Sequence, residues 1–316
     1  MLEDDVIPAG DLIQQVCGAV RARPHQALAF FAEWGSRTSM PLRAAALCGH
    51  RWVEVVDFYV PTQALVLPAD VAYPLHEYMS ALPEDTPNDH ALHSYLQKAR
   101  AHAWVSVPNL VEHNDAVSLV GNQSHGLRRS ACLVGDESTT PWQDGPALTD
   151  LAVFPYFSWW DLAAECWVRQ GQISDWRRMP AETLVNSAGL SDESIHRMIQ
   201  EDETPTLATL VPSGILRDLW ISAFSLGILA VRCKSTANTG VMRDVGEAVP
   251  HAALASLAPG ALRRLIDPGK NPQVFADLTP FTESAVLRGV KWAKSANAMD
   301  NILSAGADEF PGLKSS

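Results

Sequence analysis

The amino-acid sequence predicts an α/β fold: a sheet domain over residues 1–135, a linker at 136–150, a mostly α-helical domain over 151–306 and a tail at 307–316. Three observations carry this prediction. Short apolar runs rich in β-branched and aromatic residues alternate with amphipathic helical spacing in the first part. Gly, Pro, Asp, Ser and Thr crowd the segment from Gly135 to Asp150 without an apolar period. Beyond it, helical spacing recurs and few strand signals intervene. With 316 residues, 47% of them hydrophobic and 19% charged, the chain can bury one large core or two modest ones.

The elements follow in order. Asp11 to Arg23 sets Leu12, Ile13, Val16 and Val20 on one helical face, opened by Gly10-Asp11 and stopped by Pro24. Ala27 to Ala32, Trp52 to Phe58 and Gln63 to Leu67 read as strands, and Trp34 to His50 as loop-rich. Asn88-Asp89 opens a helix whose apolar face is Ala91, Leu92, Tyr95, Leu96 and Ala99, and Ala103 to Val107 is a strand ended by Pro108. In the second half, Leu151 to Arg169, Asp192 to Gln200, Ile215 to Cys233, His251 to Leu265 and Thr279 to Ala298 carry helical spacing. Phe154, Tyr156, Phe157, Trp159, Trp160 and Trp167 fall in the first of these; at that spacing they read as core, although flat rings also suit the apolar face of a sugar.

The formal net charge of −12 disfavours a nucleic-acid partner but leaves room for a local basic pocket holding one phosphorylated ligand. The longest apolar run, Leu219 to Val231, has about 13 residues against the roughly 20 that span a bilayer, so it reads as a core helix or a homo-oligomer interface rather than a transmembrane segment. Met-Leu-Glu-Asp-Asp at the start has no signal-peptide pattern. The five cysteines are dispersed and form no C-x-x-C. Together these predict a cytoplasmic protein.

Glu3-Asp4-Asp5, followed by Val6-Ile7-Pro8 and a helix, forms a hard oxygen site suited to Mg²⁺ or Mn²⁺ beside a departing diphosphate. The same three residues also fit a solvated acidic segment. His113 in Pro108-Asn109-Leu110-Val111-Glu112-His113 arrives at a second strand end, and its nitrogen favours Mn²⁺ over Mg²⁺.

These strings resemble the GT-A-type glycosyltransferases, in particular the lipopolysaccharide-type and collagen-type galactosyltransferase group and its actinobacterial or phage relatives. Leu2 to Pro8 is similar to that family's carboxylate motif, Val60 to Pro68 to its acceptor-side strand, Pro87 to Leu92 to its helix-opening acidic residue, and Val107 to His113 with Ser118 and Gly121 to Arg129 to its closing motif. The resemblance implies a partial GT-A-like, Rossmann-like sheet and a metal-dependent transfer of a sugar from a nucleotide-sugar donor to a hydroxyl acceptor, with inversion. It makes Asp5 and His113 the metal ligands and places Asp4 at the metal or the donor ribose. It makes Asp89 the base, with Glu84 and Asp85 as neighbouring alternatives, and Ser118, Arg128 and Arg129 contacts to the donor phosphates.

In that family the carboxylate motif follows roughly the first third of the domain, whereas here it stands at residues 3 to 5. The resemblance therefore implies a chain lacking its N-terminal nucleotide-binding strands: an upstream start, a completing polypeptide, or a non-catalytic binding or assembly relative. A metal-dependent hydrolase built on His90, His93, Asp89 and His113 is a further alternative, without an H-E-x-x-H motif. Neither a P-loop nor a G-x-G-x-x-G fingerprint occurs.

Overall fold

A computed structural model describes residues 1–114, 125–135, 144–149, 151–170, 175–187, 189–236 and 242–295. The chain forms β1 (Val6–Pro8), α1 (Leu12–Ala22), β2 (Ala27–Ala29), α2 (Ser39–Cys48), β3 (Trp52–Glu54), β4 (Leu65–Val66), α3 (Ala69–Ser80), α4 (Asn88–Ala99), β5 (Ala103–Ser106) and β6 (Val111–His113). It continues with β7 (Ala147–Leu148), β8 (Val153–Ser158), β9 (Ala163–Arg169), β10 (Trp176–Pro180), α5 (Glu182–Ser187), α6 (Asp192–Asp202), α7 (Pro205–Leu210), α8 (Ser213–Thr236), α9 (Ala248–Ala255), α10 (Leu257–Leu262) and α11 (Pro272–Lys294). The fold is mixed α/β.

The central sheet has the order β4-β2-β5-β3-β7. β2 runs parallel to β5, and β3 parallel to β7, while the β2–β4 and β3–β5 pairs are antiparallel. Every residue of β2 and β3 is buried, which is why these strands read as continuous apolar runs rather than as an alternation. β7 lies inside the segment expected to be a linker and adds an edge to this sheet. A second sheet is the meander β10-β9-β8, and β1 pairs with β6 alone.

Several expectations change. Leu151 to Arg169 is two strands and not a helix: Pro155 is costly in a helix interior and sits here on the edge strand β8, and Phe154 to Ser158 is buried without a break, which erases any period of two. The aromatic cluster thus belongs to a hairpin and its turn. Within the stretch read as loop-rich, α2 is buried on all sides and so has no polar face to betray it; Gly49, at φ 78°, ends it in the left-handed region. α3 was not expected either. α1 is where the periodicity places it, but its buried side is Leu12, Gln15 and Ala19, and Ile13 is exposed.

One hydrophobic cluster runs from Ala27 and Ala29 of the central sheet through α2 to α8 and α11, across the expected boundary at 136–150. Arg43 of α2, itself buried, donates to the carbonyls of Trp34 (2.8 Å), Ala253 (3.0 Å) and Ser256 (3.1 Å), fastening the first half to α9 and α10. Hydrogen bonds from a charged group contribute about 1.5–3 kcal/mol each, so this tie is substantial. α8 and α11 pack closely because Gly227 and Gly289 face each other's backbone: a Cβ at Gly289 would overlap the Phe224 carbonyl. Among the described residues one helical stretch, Ser213–Cys233, is long and apolar enough to cross a membrane, and 72% of its apolar window is buried inside the fold.

Candidate functional site

The site begins with strand register. β1 and β6 pair so that Val6 opposes His113, and the Asn114 N–H donates to the Asp5 carbonyl at 2.7 Å. Residues more than a hundred positions apart in sequence are thereby set side by side, with Asp5 Oδ2 3.2 Å from His113 Nε2. Arg128 Nη2 also reaches His113 Nε2, at 3.0 Å. Its segment is held by Glu112, whose Oε1 accepts the N–H of His113 (2.9 Å) and of Ser130 (2.6 Å). Asn109 Oδ1 adds a bond from the Ser130 hydroxyl at 2.8 Å.

Asp5 and Arg128 converge on the same imidazole nitrogen of His113. A guanidinium only donates, so Nε2 must offer Arg128 its lone pair; Asp5 then faces the same lone pair with a carboxylate. A proton on Nε2 would satisfy Asp5 and oppose Arg128 instead. Asp5 Oδ1 is also buried without a hydrogen-bond partner among the described residues. A divalent ion on Asp5 and His113 would take the Nε2 lone pair and displace Arg128 from it, and a carboxylate with an imidazole suits Mn²⁺. Among the described residues no group of three or more His, Cys, Asp or Glu could hold a metal alone. Asp5 and His113 offer two protein ligands, so an ion held there would take the rest from phosphate oxygens and water.

His113 and Arg128 open onto a cavity of about 640 Å³. Asp89 and His90 line it from α4. Asp89 lies within the first turn and makes no side-chain cap; its Oδ1 accepts the His90 N–H at 2.9 Å. Arg37, just ahead of α2, lays its guanidinium 3.6 Å from the Trp167 ring centroid and 5.2 Å from that of Phe58. Asp57 accepts the N–H groups of Arg37 (2.7 Å) and Thr38 (3.1 Å). Burial pushes the Asp57 carboxyl above its usual range, and these bonds oppose the shift without cancelling it. The meander supplies the opposite wall, including Trp159, Trp160, Glu165 and Arg178. Burial likewise raises Glu165, against the pull of Arg178.

Of the predicted residues, Asp5, His113 and Arg128 meet in one cluster, and His113, Arg128 and Asp89 line the cavity. Asp4 is exposed in the turn before β1, and neither it nor Asp5 is among the residues that line the cavity. Arg129 is exposed too, and its carbonyl accepts the Trp34 N–H at 2.8 Å, which turns Arg128 inward. Glu84 and Asp85 lie on the surface away from the cavity. Ser118 lies outside the described residues. The histidine set of the hydrolase alternative is not assembled: His90 lines the main cavity, whereas His93 lines a small cleft with Val55, Val60 and Leu96.

Arg37, Asp57, Trp160 and Glu165 line the cavity and were not among the predicted site residues. Arg37 sits in the stretch read as loop, and Trp160 and Glu165 in the stretch read as helix, so no periodic signal pointed to a shared wall. Comparison of the chain with protein families, with curated proteins and with solved structures finds no match.

Proposed function

We propose that this chain carries the catalytic face of a metal-dependent glycosyltransferase of GT-A type, moving a sugar from a nucleotide-sugar donor to a hydroxyl acceptor with inversion. The observation that supports this most is the cluster of Asp5, His113 and Arg128, of which His113 and Arg128 line a cavity that Asp89 also lines. Asp5 and His113 are the donors for Mn²⁺ or Mg²⁺, which when bound offsets the charge of the departing diphosphate. Arg128 is placed to bind a phosphate oxygen by charge-assisted hydrogen bonds once it is relieved of His113. Asp89 takes the acceptor hydroxyl proton as that oxygen bonds to the sugar's anomeric carbon and the bond to phosphate breaks. Arg37, stacked on Trp167, lines the same cavity.

Calorimetric titration of the chain with nucleoside diphosphates and MnCl₂ tests the reading. Saturable binding that needs Mn²⁺ is expected. An absence of heat with every base would sink the catalytic assignment and leave the non-catalytic binding role.

A further inference from the structure

The cavity wall farthest from the Asp5 and His113 pair in chain order comes from the meander and its first turn. Trp160 and Asp161 sit in the β8–β9 turn, Glu165 and Trp167 on β9, and Arg178 on β10. Their charges are closed in a local circuit. Arg178 Nη2 lies 2.7 Å from Glu165 Oε1 and 3.0 Å from Asp161 Oδ2, and Trp167 Nε1 donates to Glu165 Oε2 at 3.1 Å. The Arg37 guanidinium stacks on Trp167, and its charge lowers the cost of ionising Glu165. Two carboxylates thus face two guanidiniums.

This balance selects among ligand classes. A phosphate or carboxylate ligand would meet acidic groups as close as basic ones, and an organic cation would meet the reverse. A neutral polyol meets neither repulsion: adjacent hydroxyls can donate to a carboxylate and accept from a guanidinium. The wall also offers aromatic surface: the Arg264 guanidinium stacks on one face of Trp160, 4.0 Å from the ring centroid, and the residue stays 55% exposed at the cavity. Such a ring gains by being covered with the C–H face of a sugar and cannot be covered well by a flexible, fully polar chain. The cavity of about 640 Å³ falls in the range of roughly 300–1,000 Å³ that small-molecule sites occupy.

We infer that this wall is the acceptor subsite and that the acceptor is a neutral saccharide, its apolar face laid on Trp160 and its hydroxyls shared among Asp161, Glu165, Arg178 and Arg37. The word acceptor rests on the transferase reading; the saccharide site itself does not.

Saturation-transfer difference NMR on the full chain tests it, with methyl β-glucopyranoside, methyl β-galactopyranoside and methyl α-mannopyranoside as probes and a serine-containing tetrapeptide as the competing acceptor class. At least one glycoside is expected to show saturated ring C–H protons, and the peptide none. Trp160→Ala, at an exposed position that leaves the core intact, is expected to weaken that glycoside about tenfold, and Asp161→Asn to weaken it less. Absence of signal from every glycoside, an equal signal in Trp160→Ala, or binding of the peptide alone would each overturn the inference. The diphosphate titration with MnCl₂ is run on the same preparation. Glycoside binding without diphosphate binding refutes the transferase reading and keeps the saccharide site, and the reverse refutes the saccharide site alone.

Discussion

Glu54 on the central strand β3 grips Arg169 of β9 at 2.7 Å, so that a single buried carboxylate joins the five-stranded sheet to the meander. His102 Nδ1 approaches its other oxygen at 3.0 Å, and Arg169 itself is steadied by the Leu151 carbonyl at 2.8 Å and by the Trp176 ring. Because the meander forms one wall of the cavity, this ion pair helps to decide where Trp160 and Glu165 stand relative to Asp89.

The pair predicts an acid-sensitive fold. Burial alone would raise the Glu54 carboxyl, but the bonds from His102 and Arg169 outweigh it and hold the group below its ordinary value of 4.5. A carboxylate depressed in the folded state stabilises above its unfolded pKa and loses that contribution as pH falls through the folded one. Urea unfolding of Glu54→Gln should therefore show a deficit of about 3 kcal/mol at neutral pH. The deficit should shrink once the pH drops below the ordinary carboxylate range. A gap that stays constant with pH would place the stabilisation elsewhere.

The α8–α11 contact predicts a steric limit. Gly289→Ala would drive a methyl group into the Phe224 carbonyl, with backbone on both sides and no flexible side chain to yield. Overpacking of this kind costs about 1–3 kcal/mol and occasionally more. The measurement is the thermal midpoint; Gly214→Ala, in open space at the start of the same helix pair, serves as the control and should cost less.

Metal-dependent diphosphate binding should depend on both strand ends of the β1–β6 pair. Loss of an outer-shell partner costs metal sites about 10–100-fold, and Asp5→Asn or His113→Ala should cost at least that much in Mn²⁺-dependent affinity. Asp4→Asn, at the exposed position, should change it little. Equal effects at Asp4 and Asp5 would contradict the register-based assignment.

Asp89→Asn tests the proposed base separately from the proposed binding residues. Diphosphate affinity should remain, whereas sugar transfer should fall by about 10²–10⁴-fold, the usual range for removing a general base. A matching loss of diphosphate affinity would instead make Asp89 part of the donor site.

Part of the candidate site was legible in the sequence. His113 ends an apolar stretch and Asp89 opens a helix with a clear apolar face, whereas the carboxylates expected at a strand end stand in the turn before β1. What was not legible was the second wall. Pro155 and the unbroken burial of β8 remove the alternation that announces a strand, and α2, buried on every side, shows no amphipathic period. Elements without a solvated face carry no periodic signature, because period is a record of which side meets water.

Local propensity and short-range residue chemistry were enough to read α1, α4, the strands near β2 to β5, the acidic motif and the candidate pair Asp5 and His113 from the chain, but not α2 or α3. Long-range packing was needed to turn Arg128 toward His113 while Arg129 stays exposed, to pair Asp5 rather than Asp4 with His113, and to bring Trp160, Glu165 and Arg178 to the cavity. Those outcomes depend on strand register and on one core shared by both halves, and register is set by pairing between segments far apart in sequence.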